Sequence, residues 1–380
     1  MDWLNGNVLY IGQIMLFAFG LVLCIQLFYH WFFFRRLAFY RPETVKSENL
    51  PVSVIICARN EAQNLKENLP AILQQNYREY EVIVVNDGSD DDTLVLLNEF
   101  KSRFLQLRVI NLQKKLNFFT GKKFPLAVGI RCAKHPVVLL TDADCRPSGP
   151  DWINEMASKF DETTEIVLGY GPYRKLPGLL NFLIRYDTLF VAIQYFSFAL
   201  AGYAYMGVGR NLAYRRNLFF RHNGFIKHYH IPSGDDDLFV NQVATRRNVR
   251  ICLNEESQTH SYPKETFGQW FYQKLRHISA GHHYKVRFKG LLWLFFLSQG
   301  LFYLLFAGLV VGFPFSTFGV IALIMFMLRT ISMLIIFYKA GKIINQSKLS
   351  LSFPVLDLLL LGFYLIFSIS ALFYRKTEWK

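Results

Sequence analysis

The chain has 380 residues, of which 52% are hydrophobic, 17% aromatic and only 18% charged, with a formal net charge of +14. Charge this sparse excludes a disordered chain, and apolar runs this sustained exclude an ordinary soluble domain, so the sequence reads as a membrane protein. The five cysteines, at 24, 57, 132, 145 and 252, form no short-spaced pairs and leave one over, which argues against a disulfide framework or a zinc cluster.

Val8–Phe34 carries no formal charge and runs straight into Arg35 and Arg36. A spanning helix needs roughly 20 apolar residues, so this is the first span. Its length and the acidic start at Asp2 argue against a cleaved signal peptide. From Val52 the pattern changes. Val52–Ala58, Tyr80–Asn86, Leu107–Leu112 and Pro136–Thr141 are short strand-like runs, while Glu61–Leu73, Asp91–Phe104 and Lys122–Lys134 between them are patterned as helices. Such alternation predicts an α/β domain with parallel strands and right-handed crossovers, in which ligands sit at the carboxyl ends of the strands.

Leu176–Met206 is apolar, but a single crossing here would separate acidic motifs before it from those after it. It is therefore predicted to form interfacial helices, with Arg185 and Asp187 turned toward headgroups. Leu291–Phe313, Phe315–Tyr338 and Leu351–Tyr374 are three further spans. The Lys/Arg excess places the Arg35–Lys46 side and the connection holding Lys339, Lys342 and Lys348 in the cytoplasm, with the basic tail Arg375–Lys380 arguing weakly the other way. The expected organisation is an N-terminal span with a basic flank (1–47), a cytoplasmic domain (48–288, with 176–206 interfacial) and a bundle of three spans (289–380). Arg329 and Asp357 fall at comparable depth in the third and fourth spans, near Pro354, and are expected to pair inside the bundle as a clasp or as a polar wall.

Four motifs carry chemistry. In Asn86-Asp87-Gly88-Ser89-Asp90-Asp91-Asp92-Thr93, a carboxylate at a strand end can accept from a base or ribose, or simply cap a helix. Asp142-Ala143-Asp144 closes an apolar strand, and hard oxygen ligands at this spacing suit Mg2+ or Mn2+ bridging a diphosphate. In Ser233-Gly234-Asp235-Asp236-Asp237-Leu238, three crowded carboxylates repel one another, which favours a raised pKa and a general base; the other reading is a helix start facing its dipole. Gln273 and Arg276 share a helix side, so that Arg276 can meet a phosphate while its neighbour orients it. Gly207-Val208-Gly209-Arg210-Asn211 either lines an acceptor site or is a plain glycine turn. His228 and His230 read as surface or hydrogen-bonded residues rather than ligands.

In this order and spacing, the motifs resemble family 2 glycosyltransferases of GT-A fold, a Rossmann-like mixed sheet, and in particular membrane-integrated polysaccharide synthases. The resemblance covers Pro51 to Gly281. It implies that Asn60 and Glu61 lie on the nucleotide side, that Asp87 pairs with a base (uridine in the family), and that Lys122 of the Gly121-Lys122…Gly129 segment belongs to the nucleotide site. It further implies that Asp142 and Asp144 hold the metal, with Asp142 and Gln273 also on the donor, and that Arg276 faces the diphosphate. Counting back from Leu238 puts Asp235 at the base position, with Asp236 as rival. The chain departs from the family pattern at Cys57 (usually Pro), at Pro125 and Ala127 (usually Ala and Asn), at Gly234 (usually Glu) and at His277 (usually Trp).

The resemblance thus implies an inverting, metal-dependent membrane enzyme that moves a sugar from a nucleoside-diphosphate sugar to a glycan or lipid-linked acceptor hydroxyl at the cytoplasmic face of the inner or plasma membrane. Two alternatives differ from it: a transferase that adds a single sugar to a polyprenyl phosphate or lipid acceptor, and a membrane nucleotide-sensing module without turnover. The positive charge suits an anionic leaflet and diphosphates, and no basic stripe accompanies a nucleic-acid motif, so nucleic-acid binding is not indicated.

Overall fold

The computed structural model describes residues 2–42, 48, 50–113, 121–231 and 233–373. Lys46 and the basic tail Arg375–Lys380 lie outside them. The chain opens with α1 (Asp2–Phe28), a π-helical stretch at Tyr29–Phe34 and α2 (Arg35–Ala38). Strand and helix then alternate as the patterning predicts: β1 (Val52–Ala58), α3 (Ala62–Leu73), β2 (Tyr80–Asp87), α4 (Thr93–Arg103), β3 (Leu107–Leu112), α5 (Lys123–Cys132) and β4 (Val137–Asp142). Next come β5 (Cys145–Pro147), α6 (Trp152–Ala157), β6 (Ile166–Gly169), α7 (Leu179–Leu200), β7 (Leu212–Arg215) and α8 (Arg216–Arg221). The domain finishes with α9 (Asp237–Val243), β8 (Val249–Cys252), β9 (Thr259–Ser261) and α10 (Phe267–Gly281). Four helices follow: α11 (Val286–Gly312), α12 (Thr317–Ile343), α13 (Ser347–Ser350) and α14 (Phe353–Phe373).

By contacts the chain divides into two compact units, one of Met1–Tyr40 with Val286–Ile366, the other of Arg41–Lys285 with the chain from Phe367 on. In the second unit, seven strands form one sheet in the order β3-β2-β1-β4-β7-β6-β8. β1, β2, β3 and β4 are parallel, whereas β7 runs antiparallel to both β4 and β6. The parallel pairing expected for these first four strands is present, and the sheet as a whole is mixed, as the GT-A resemblance implied. Every residue of β1 is buried, because helices cover both faces of the sheet. On one face α3 packs Leu65, Leu69 and Ile72 into a core with Val54, Ile56, Val82 and Leu139. On the other, α5 approaches so closely that a Cβ on Gly129 would lie 2.6 Å from Ile55 Cγ2. Gly129 is a contact residue between helix and sheet.

The order 3-2-1-4 reverses direction at β1, so the crevice for a ligand opens between the carboxyl ends of β1 and β4. The register sets Cys57 opposite Asp142 there, with Asn86 opposite Ala58 on the other side.

The segment expected as interfacial helices is a single helix, α7, buried on most of its circumference. Asp187 corrects the expectation directly: it is 5% exposed and accepts from Lys274 Nζ at 2.9 Å. A carboxylate and an ammonium desolvated together stabilise each other, and neither is left for a headgroup.

Among the described residues, four helices are long and apolar enough to cross a membrane, Leu9–Ala38, Val286–Gly312, Thr317–Ile343 and Phe353–Ala371, close to the predicted spans. Within the first unit, Phe19 stacks near Phe302 with ring centroids 4.7 Å apart, and Phe306 near Phe326 at 4.3 Å. This apolar packing surrounds one charged centre. Arg329 Nη1 meets Asp357 Oδ2 at 2.6 Å, both residues being 1% exposed. Asp357 also accepts from Gln299 Nε2 and from the Tyr303 hydroxyl, each at 2.6 Å, while Arg329 Nη2 donates to Gln26 Oε1 at 3.1 Å. The expected pair is present, and groups from α1 and α11 complete it.

Asp357→Leu would leave the Arg329 guanidinium buried without its counter-charge, a loss of about 3–5 kcal/mol. The thermal midpoint of the detergent-solubilised protein should fall sharply, and the Arg329→Met, Asp357→Leu double variant should recover most of the loss. In the second unit, Gly129→Ala should cost about 1–3 kcal/mol by forcing α5 off the sheet, measured as a lower unfolding midpoint with the helix content of the folded state unchanged.

Candidate active site

Two loops at the sheet's carboxyl edge are laced together by short polar side chains. Asn60 takes a left-handed φ of 55°, its amide donates to Ser89 Oγ at 2.9 Å, and its Oδ1 accepts from the Asp90 amide at 2.8 Å. Glu61 donates its amide to Thr93 Oγ1 at 3.0 Å, and its carboxylate accepts from Asn64. Gly88, at φ 61°, makes the turn that carries Asp87 out of β2, where the Asp87 residue is only 5% exposed. Asn60, Glu61 and Asp87 thus stand together at the β1–β2 end of the crevice.

Lys122 precedes α5 and reaches across to β4, where its Nζ donates to Asp142 Oδ1, and it also lies 3.8 Å from Asp235 Oδ2. Burial opposes its charge, but the two carboxylates outweigh that and hold its pKa well above the lysine range. Reciprocally, burial would raise Asp142, yet Lys122 keeps it below the usual carboxylate value. Asp144 has no such partner at that distance: burial and the neighbouring Asp142 both push it up.

Asp142, Asp144 and Cys145 bring one ligand atom each within 4.8 Å of one another, the one such group among the described residues. Burial pushes the Cys145 thiol well above its ordinary value, so it stays protonated and is a poor partner for a hard cation. The two carboxylates are the proper donors for Mg2+ or Mn2+, and Lys122 occupies only one oxygen of Asp142. The residues present therefore fit a divalent cation.

The acidic run opens α9, and its three carboxylates have different surroundings. Asp236 accepts from the Gly209 amide at 2.6 Å and from the Asp237 amide at 2.7 Å, and burial and Asp235 push it up to about 6. Asp237 accepts from the Leu238 amide and the Tyr284 hydroxyl, both at 2.7 Å, and burial and Asp236 push it up to about 8. Asp235 faces Lys122, with 15% of its side chain exposed. Gly234 has a φ of 89°, and a Cβ there would stand 2.4 Å from Leu238 Cδ1. That is the physical reason no glutamate occupies this position.

On α10, Gln273 Nε2 donates to the Tyr173 hydroxyl at 3.0 Å rather than orienting Arg276. Arg276 lies close enough to Asp142 to lower its pKa. Tyr173 in turn lies under Arg210, whose guanidinium carbon is 4.3 Å from the ring centroid and whose Nη1 donates to Ser261 Oγ at 2.8 Å. Arg210 adds positive potential at Asp142 and Asp144. Tyr173 lies outside every motif read in the sequence; Arg210 was seen only as part of a glycine-rich run. His230 is exposed and His228 buried, and neither belongs to the carboxylate–thiol group.

A parallel sheet with its crevice at β1/β4, an antiparallel extension and an Asp-x-Asp at the end of β4 define a GT-A fold. Residues 53–222 match the glycosyl transferase family 2 model. An uncharacterized glycosyltransferase of Haemophilus influenzae is 33% identical over 120 residues, 31% of this chain and 36% of that protein. The poly-beta-1,6-N-acetyl-D-glucosamine synthase of Staphylococcus epidermidis is 33% identical over 122 residues, 30% of this chain and 27% of the synthase. The chain thus matches only about a third of the length of these curated relatives. A mannosyltransferase of Pyrobaculum calidifontis, solved with GDP-Man and Mn2+, superposes with a TM-score of 0.56 at 20% identity, covering 91% of this chain and 99% of that one.

Asp144→Ala removes one of the two carboxylates suited to a hard cation. Mn2+ affinity in the presence of UDP, titrated by electron paramagnetic resonance, should weaken by at least about tenfold, and an unchanged titration would place the cation elsewhere.

Proposed function

We propose that the chain is an inverting membrane glycosyltransferase that moves a sugar from a nucleoside-diphosphate sugar to an acceptor hydroxyl on a glycan or lipid-linked glycan, with the catalytic unit on the cytoplasmic face. The observation that supports this most directly is the meeting of Lys122, Asp142 and Asp235, drawn from three separate segments, at the β1/β4 crevice. Asp87, Asn60 and Glu61 would receive the nucleoside at the β1–β2 end, leaving the diphosphate toward Asp142 and Asp144. A divalent cation held by these two carboxylates supplies charge neutralisation on the diphosphate. Lys122 and Arg276 add positive potential on the same side, already oriented before reaction.

In this reading Asp235 takes the proton from the acceptor hydroxyl as that oxygen bonds to the anomeric carbon, and the bond from that carbon to the diphosphate oxygen breaks. The support for Asp235 over Asp236 is that Asp236 already serves two backbone amides, whereas Asp235 is partly exposed to the crevice. The four apolar helices support a membrane setting, and a lipid-linked or growing glycan is the acceptor class such a setting presents.

A panel of UDP- and GDP-sugars offered to the purified full-length protein, with nucleoside diphosphate release as readout and product length by mass spectrometry, tests the reading. Turnover should require Mg2+ or Mn2+. Asp235→Asn should lower transfer by about 10²–10⁴-fold with nucleotide binding retained; near-normal turnover in that variant moves the base to Asp236 or elsewhere.

A further inference from the structure

We propose that Lys123, the residue beside the nucleotide-side lysine, is a positioning residue that sets the base loop, so that α5 holds Asp235 from two directions. This rests on the assignment of Asp235 as base. Lys123 is 3% exposed, and its Nζ donates to the main-chain carbonyls of His228 at 2.6 Å and Ile231 at 2.7 Å. These carbonyls belong to the segment that leads directly into Ser233–Asp237, more than a hundred residues further along the chain.

An ammonium is costly to bury for packing alone, and an apolar side chain of the same length would fill the space. What Lys123 gains is specific. Two strong charge-assisted bonds fix the backbone just before the acidic run; burial draws the Lys123 pKa down to about 8, and the carboxylates of Asp235, Asp237 and Asp236 offset part of what burial takes. The ammonium therefore depends on the acidic run for its charge, and the acidic run depends on the ammonium for its position.

The division of labour between the two adjacent lysines follows from their partners. Lys122 acts on side chains, taking Asp142 and lying near Asp235; Lys123 acts on the main chain that carries Asp235. Both sit at the first turn of α5, which Gly129 seats against β1 and β2. A base must be held within a fraction of an ångström of its productive place, and a loop lacks the ladder bonds that hold a strand there. Lys123 supplies the missing constraint.

The test uses Lys123→Met in the full-length protein, with Lys123→Arg as the conservative variant and Lys123→Gln in place of Met should Lys123→Met fail to fold. Nucleotide-sugar turnover is measured with the donor on which the wild-type protein is active, and UDP–Mn2+ binding is measured alongside. The apolar variant is expected to lower kcat for transfer by about tenfold to a hundredfold while KM for the donor stays within about twofold. Lys123→Arg is expected to recover part of kcat. Amide exchange at 228–237 should quicken in Lys123→Met while exchange across Val52–Ala58 stays as in the wild type. A wild-type kcat with unaltered exchange at 228–237 overturns the proposal, as does a loss carried wholly by donor KM. Absence of turnover in the wild-type protein instead refutes the glycosyltransferase reading, and the exchange measurement still decides what Lys123 does to the loop.

Discussion

Lys122 stands between two carboxylates that repel each other, and the catalytic crevice depends on that arrangement. Asp142 ends a strand and Asp235 precedes a helix far along the chain, and without a cation between them two neighbouring negative charges would drive the loop and the strand apart. The lysine is itself desolvated, so it gains from both carboxylates what it loses from water. The remaining polar groups complete the compensation: Arg276 and Arg210 add positive potential at Asp142, backbone amides absorb Asp236 and Asp237, and Asp144 is left as an acid in need of a cation.

Such a site requires rigid neighbours, and glycine provides two of them by opposite means. Gly129 has no side chain, so α5 presses on Ile55 and Val85 and brings both lysines to the carboxyl edge. Gly234 adopts a backbone angle that other residues resist, which turns the chain so that Asp235 and Asp236 face different partners.

The membrane unit meets the same problem with another solution. Arg329 and Asp357 are buried completely, where an unpaired charge would be expelled, and they persist because they pair with each other and Gln26, Gln299 and Tyr303 add hydrogen bonds from two further helices. With its charges engaged in this way, the cluster reads as a clasp that fixes which helix faces meet, and the expected alternative of an open polar wall does not match side chains that are 1% exposed.

The sequence by itself determined what depends on local composition. Uninterrupted apolar runs marked four spans, alternation of β-branched strands with amphipathic helices marked the first half of the sheet, and the strand-end position of Asp142 and Asp144 marked the crevice, because burial on both faces or in lipid writes itself into every residue of a segment. Only the tertiary structure decided the contacts between distant segments. Asp187 paired with Lys274, Gln273 went to Tyr173 instead of Arg276, the antiparallel β7 entered the sheet, and Lys123 found carbonyls beyond residue 227. None of these leaves a periodic trace, since a single charged or polar side chain specifies its partner through the folded geometry that brings the two within bonding distance.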